Sequence, residues 1–381
     1  MDKARSNQER SVNVRVKRDA SNRMMRSKVA VELHLLPHDV LRDILSRLSL
    51  KQAVRMSLLS GEWRRLAICP PDLVFTEETL FGSNTTMITD PESMAAEFLE
   101  SMNIEFITRV DSVLRASWST STMTTASTVN KFVVKYGLGT YHRHHIDRWI
   151  DFSTVSMAKH IRLDLRGGGF AGGIYVVPLC KLSGPNGSCV KSLDLAYVCK
   201  LFLHLVIDYQ VKKFSKTHTT FINLWHLNLN IDVRDDPEDA SWVIGLVYLL
   251  ESAPLLEELE LNINYDRFVD RDPTRIVKAV PGPLHRHLRS VHITGFCDLV
   301  GIAELLLYIL RNAIVLERMV VDPVVWMDNG YPYSRQLYSV SKVGSYQEFA
   351  RPRFTKQELQ DREFAKQHLN RKEFRHILTI L

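Results

Sequence analysis

The sequence is short of the features that mark an enzyme, a secreted protein or a membrane protein. It has 5 cysteines, Cys69, Cys180, Cys189, Cys199 and Cys297, with no CxxC pair and one left over from any pairing. That pattern argues against a disulfide frame and suits free thiols in a reducing compartment, so the nucleus and/or cytoplasm is the expected location. Apolar runs are too short to span a bilayer, and the longest, Leu299–Leu310, contains Glu304. The first residues carry no apolar stretch of the kind a secretory signal needs. Gly167–Gly173 is glycine-rich, but no Lys-Ser/Thr follows it, so it fails the phosphate-loop pattern and reads as a connecting loop. No serine lies in a nucleophile elbow, and no cysteine has a catalytic context. Tyr141-His142-Arg143-His144-His145 lacks the further ligands that a metal site requires and reads as a solvated loop. The acidic run Asp232–Asp239 lacks calcium-loop spacing. The sequence therefore nominates no catalytic residue, no metal site, no cofactor and no membrane partner.

Charge is present but unevenly placed. The formal net charge is +6, and most of the excess lies before Val31, where Lys3, Arg5, Arg10, Arg15, Lys17, Arg18, Arg23, Arg26 and Lys28 oppose only Asp2, Glu9 and Asp19. With so few large apolar residues, residues 1–31 are expected to form a disordered basic tail. Nucleic-acid binding through that tail ranks last among the functional readings; it predicts salt-sensitive binding lost with the tail.

The next stretch is apolar at helical spacing. Pro37 suits a first helical turn. Val40, Leu41, Ile44, Leu45 and Leu48 then make one stripe. Ser49 is placed to cap a second helix with Ala53, Val54, Leu58 and Leu59. Ser60 can cap a third turn with Trp63 and Leu66, and Pro70-Pro71 ends the helical run. Three helices this short cannot bury that surface among themselves, so it reads as a docking face for another helical protein or, alternatively, as a helical piece of a larger core.

Leu36-Pro37, Val40-Leu41, Ile44-Leu45, Leu48, Ala53-Val54, Ser57 to Ser60 and Trp63-Arg64 resemble the F-box, and in particular that of plant F-box/leucine-rich-repeat proteins. The resemblance implies docking on the Skp-type adaptor of a cullin-based ubiquitin ligase. The implied contact residues are Leu36, Pro37, Val40, Leu41, Ile44, Leu45, Val54, Leu58, Leu59 and Trp63. Gly61-Glu62 and Ala67 depart from the usual family residues. They keep open a second reading, a non-enzymatic leucine-rich-repeat scaffold not engaged with the ligase.

Beyond Pro71, residues 73–127 read as a helical bridge, with a helix over 91–115 and a Ser/Thr-rich loop over 117–128. From Val129 a leucine-rich pattern, L-x-x-L-x-L, recurs roughly every thirty residues. It begins at Val129, His160, Val190, Leu224, Leu256, Leu288 and Leu316. Alternating leucines face one side of a strand, and helical patterns over 240–250 and 298–310 lie between strands. The fold class expected is α/β: a three-helix F-box over 32–72, an irregular leucine-rich-repeat solenoid over 128–323, and an α-rich, FBD-like cap over 324–381. The cap is expected to hold a helix over 357–367 and another from Asn370. Stacked units of this kind present their strand face to partners. The polar residues between paired leucines, Asp164, Asp194, Asn228, Glu260 and His292, are the candidate target contacts, and their acidic lean favours a basic target. The expected role is a non-catalytic substrate receptor, with a protein target ubiquitinated by other subunits.

Overall fold

The computed structural model describes residues 71–82, 96–120, 129–165, 175, 177–183, 189–199, 221–233, 241–265, 284–297, 301–324 and 356–381, together with Pro37, Val40 and Gln52. The chain divides into two compact units, Met1–Ala67 and Ile68–Leu381. In the first, Pro37 is exposed, and Val40 and Gln52 are exposed helical residues. The other expected adaptor contacts, Leu36, Leu41, Ile44, Leu45, Val54, Leu58, Leu59 and Trp63, lie outside the described residues.

Among the described residues, the second unit is built on one nine-stranded parallel sheet. Its strands are β1 (Asp72–Thr76), β2 (Lys131–Lys135), β3 (His160–Asp164), β4 (Ser192–Cys199) and β5 (His226–Val233). They continue as β6 (Glu258–Tyr265), β7 (Ser290–Thr294), β8 (Arg318–Asp322) and β9 (Leu378–Ile380). Each pairs with the next, so spatial order equals chain order. Parallel neighbours require a crossover between them. Helices α1 (Glu77–Phe81) and α2 (Ala96–Thr120) lie between β1 and β2, and α3 (Arg143–Val155) lies between β2 and β3. The short α4 (Leu179–Leu182), then α5 (Ser241–Glu251), α6 (Ile302–Asn312) and α7 (Lys356–Leu369) fall in later crossovers.

The register explains why the leucine pattern repeats. Phe132, Ile161, Leu193, Leu227, Leu259, Val291 and Met319 align across the sheet, and so do Val134, Leu163, Leu195, Leu229, Leu261, Ile293 and Val321. Both rows are buried. Side chains two apart on a strand share a face, and this face meets the apolar sides of the helices. Phe132 packs on Phe152 of α3 with ring centroids 6.1 Å apart. Trp242 and Leu246 of α5, and Ile302, Leu306 and Ile309 of α6, are buried in the same layer. Each fully buried Leu or Ile contributes about 1.5–3 kcal/mol. Gly301 precedes α6 with φ 90°, a left-handed conformation that a Cβ would disfavour.

The seven expected strands are all present; α2 runs to Thr120, into the stretch expected as a loop over 117–128, and the pattern differs from expectation in four further places. The second expected unit, that of β3, is framed two residues earlier than expected: Ile161 and Leu163 align with Phe132 and Val134, so its first apolar residue is Ala158, not His160. The sheet starts at β1, inside the stretch expected as a helical bridge. There Leu73 and Phe75 are buried, but Pro70 stands where other units have their leading apolar residue. Thr76 ends β1 and caps α1 reciprocally with Thr79, at 3.1 and 2.8 Å. The sheet also ends inside the expected cap. In place of a second helix after Asn370, a 3-10 turn, Lys372–Phe374, leads into β9. Finally, the histidine cluster is no loop: Thr140–His142 is a 3-10 turn and Arg143 opens α3.

That last correction has a packing cause. Asp111 of α2 accepts hydrogen bonds from Trp149 Nε1 at 2.8 Å and from Arg148, and His145 Nδ1 lies 3.1 Å from it. Burial alone would push the Asp111 carboxyl up, but these three partners outweigh it and hold it below the usual carboxylate range. His142 Nε2 lies 3.3 Å from Glu100 of the same helix. The histidines therefore tie α3 to α2. Nearby, Tyr136 stacks on Phe106 at 3.9 Å, and burial with Glu77 and Glu105 pushes its hydroxyl up to about 12.

Candidate functional site: the open face of the sheet

The side of each strand opposite the leucines carries polar residues at alternate positions. The middle row of this open face reads Val133, Arg162, Asp194, Asn228, Glu260, His292 and Val320. Four of the five expected target contacts, Asp194, Asn228, Glu260 and His292, lie in it side by side. Asp164 does not. The two-residue frame shift moves it to the next row, in register with Lys135 and Ala196, where it is 2% exposed and 3.9 Å from Lys135 Nζ. Arg162 takes its place, so the row has mixed charge, not the expected acidic lean. Counting the pattern from Ala158 would have revealed this.

Side chains on this face bond laterally, one strand to the next. Ser192 Oγ lies 2.9 Å from His226 Nδ1, and His226 Nε2 makes a charge contact with Glu260 at 3.8 Å. Asn228 Nδ2 donates to Glu260 at 3.1 Å, and Asn262 Nδ2 donates to Asn228 at 3.1 Å. Thr294 Oγ1 then donates to Asn262 at 2.6 Å. The chain of contacts joins β4, β5, β6 and β7 without a break. Networks of this kind hold polar side chains in fixed positions.

Electrostatics follow from the neighbours. Contact with Glu260 raises the His226 imidazole above its ordinary value, and contact with His226 lowers the Glu260 carboxyl. Burial pushes the Asp194 carboxyl up despite Arg162, whose Nε is 3.3 Å away. Among the described residues no group of His, Cys, Asp and Glu is arranged to hold a metal ion. Ser192, His226, Asn262 and Thr294 were not singled out from sequence, because their partnership depends on which repeats align.

Comparison with known proteins matches the two parts of the chain separately. The F-box domain matches residues 33–71. The At1g61320/AtMIF1 LRR domain matches residues 201–342, which include β5 to β8. The chain carries an F-box followed by a leucine-rich-repeat domain. An F-box/FBD/LRR-repeat protein of Arabidopsis thaliana is 27% identical over 156 residues, 41% of this chain and 31% of the relative. This F-box/LRR chain thus covers about a third of that relative's length. Strands β1 to β4 precede the matched repeat segment, yet they continue the same sheet in the same register.

Proposed function

We propose that this F-box/LRR chain is the substrate-recognition subunit of a Skp–cullin–F-box ubiquitin ligase. In this reading Leu36, Pro37, Val40, Leu41, Ile44, Leu45, Val54, Leu58, Leu59 and Trp63 dock on a Skp-type adaptor and through it on a cullin scaffold. The open sheet face, centred on Asp194, Asn228, Glu260 and His292, holds a protein target. The observation that carries the reading is the succession of an F-box at residues 33–71 and a repeat sheet whose polar face is laterally bonded. Fixed side chains lose little rotamer freedom when a partner binds, so such a face is suited to recognition. Catalysis needs no reacting group here: tethering a target near the transfer site raises its effective concentration to the millimolar range, as estimated for short linkers (~mM).

The test is co-purification. Leu41→Asp with Ile44→Asp should abolish adaptor pull-down, because two charges would have to be desolvated in an apolar interface. The same variant should keep the thermal unfolding transition of the repeat sheet. Undiminished adaptor binding would overturn the ligase reading and leave a scaffold.

A further inference from the structure

The part of the open face over β5 and β6 differs from the rest of it. Leu227, Leu229, Ile231, Leu259, Leu261 and Ile263 are buried on the inner side. The alternate positions point the other way. They put Asn228 and Asn230 of β5 beside Asn262 and Asn264 of β6, with Asn230 in register with Asn262. All four amides are half-buried.

A primary amide carries two N–H donors and two acceptor lone pairs. Asn228 donates once, to Glu260 at 3.1 Å, and accepts once, from Asn262 at 3.1 Å. Asn262 also accepts from Thr294 at 2.6 Å. Among the described residues, each therefore keeps one N–H and one lone pair, and its existing bonds hold the amide in place. Asn230 and Asn264 have no hydrogen-bond partner among the described residues. Glu260 is already met by Asn228 and His226, and the exposed Glu258 and His292 lie at the margin. The outward positions of β5 to β7 hold no Phe, Tyr or Trp on which a base could stack. They hold no aliphatic side chain to seat an amphipathic helix either.

We propose that these asparagines bind the main chain of an extended segment of the target, laid along β5 and β6. An extended peptide turns the N–H and C=O of alternate residues to one side, at a step of about 6.6 Å. Asn228 and Asn230 stand two residues apart on one strand and so repeat at that same step, as do Asn262 and Asn264. One N–H and one lone pair on an amide match one C=O and one N–H of the peptide. The proposal rests on the open face being the target site, and it adds what that site reads: backbone conformation ahead of side-chain charge.

The experiment pans the full-length chain against a phage-displayed library of random eight-residue peptides, the length of β5 and of β6. Each selected peptide is then synthesised in two forms, one N-methylated at its odd residues and the other at its even residues. One form should bind about tenfold more weakly than the parent and the other within about twofold, because only one side of the main chain faces the amides. Asn230→Leu should weaken the parent peptide about tenfold and leave the thermal unfolding transition in place, since Asn230 bonds to nothing in the fold. Failure to select any peptide, equal losses from the two methylation patterns, or affinity untouched by Asn230→Leu would each overturn the proposal. Selected peptides that turn helical on binding would do the same. Adaptor pull-down from the same preparation keeps the two readings apart. A chain that binds peptide and no adaptor sinks the ligase reading alone, and one that binds adaptor and no peptide sinks this proposal alone.

Discussion

The two faces of the one sheet obey different rules. On the inner face the same residue types return in every repeat, and Leu193, Leu227 and Leu259 are interchangeable in role. In the middle row of the outer face no two neighbours are alike: Arg162, Asp194, Asn228, Glu260 and His292 follow one another across β3 to β7. Stacking demands the first regularity, since each repeat buries its strand only against the next. Nothing in stacking demands the second, so the residue types of the outer face are set by something other than the stacking of repeats.

The largest effect should separate the faces at adjacent positions of one strand. Leu259→Ala, on the buried side of β6, should cost about 2–5 kcal/mol of unfolding free energy. Glu260→Ala, one residue on, should cost roughly 1 kcal/mol or less, as partly exposed polar contacts do. Urea denaturation of both variants measures the contrast, and equal losses would mean that the outer network is part of the core.

A middle-sized effect concerns the polar anchor beneath the inner face. Asp111→Ala removes the acceptor of the buried Trp149 Nε1. An orphaned buried donor costs about 1–3 kcal/mol. The loss should shrink as pH falls through the lowered Asp111 pKa, because the wild-type carboxylate is then itself neutralised.

The smallest effect is a pH signature on the outer face. His226 is raised, so its contribution to stability is present below the unfolded histidine value and fades as pH climbs through the folded one. Glu260 is lowered, so its contribution is present above the unfolded glutamate value and fades as pH drops through the folded one. The pair is strongest between those limits. Glu260→Gln should bring the His226 imidazole back toward its ordinary value, read by NMR titration. An unmoved His226 would assign its shift elsewhere.

The inner face was readable from sequence because burial imposes a pattern within each repeat: seven strands announce themselves by two apolar residues two apart. β1 escaped because Pro70 breaks the motif, and β9 because only Leu378 and Ile380 remain of it. The frame of β3 is hard to place from sequence because Ala158 is a small apolar residue two places before a plausible start. The outer network was invisible for a different reason. Its bonds join residues from separate repeats of unequal length, and only the register decides that Asn228 faces both Glu260 and Asn262. The histidine cluster looks like a loop in sequence because its helix start has no side-chain cap and its partner Asp111 is far away in the chain. The expected adaptor contacts of the F-box rest on resemblance alone, and of these the structure describes Pro37 and Val40.

The residues just before β3 to β8, from Lys159 to Glu317, are joined strand to strand by main-chain hydrogen bonds. Because that ladder draws on no side chain, Trp225 or Lys191 can be replaced by any residue but proline without removing one of its bonds.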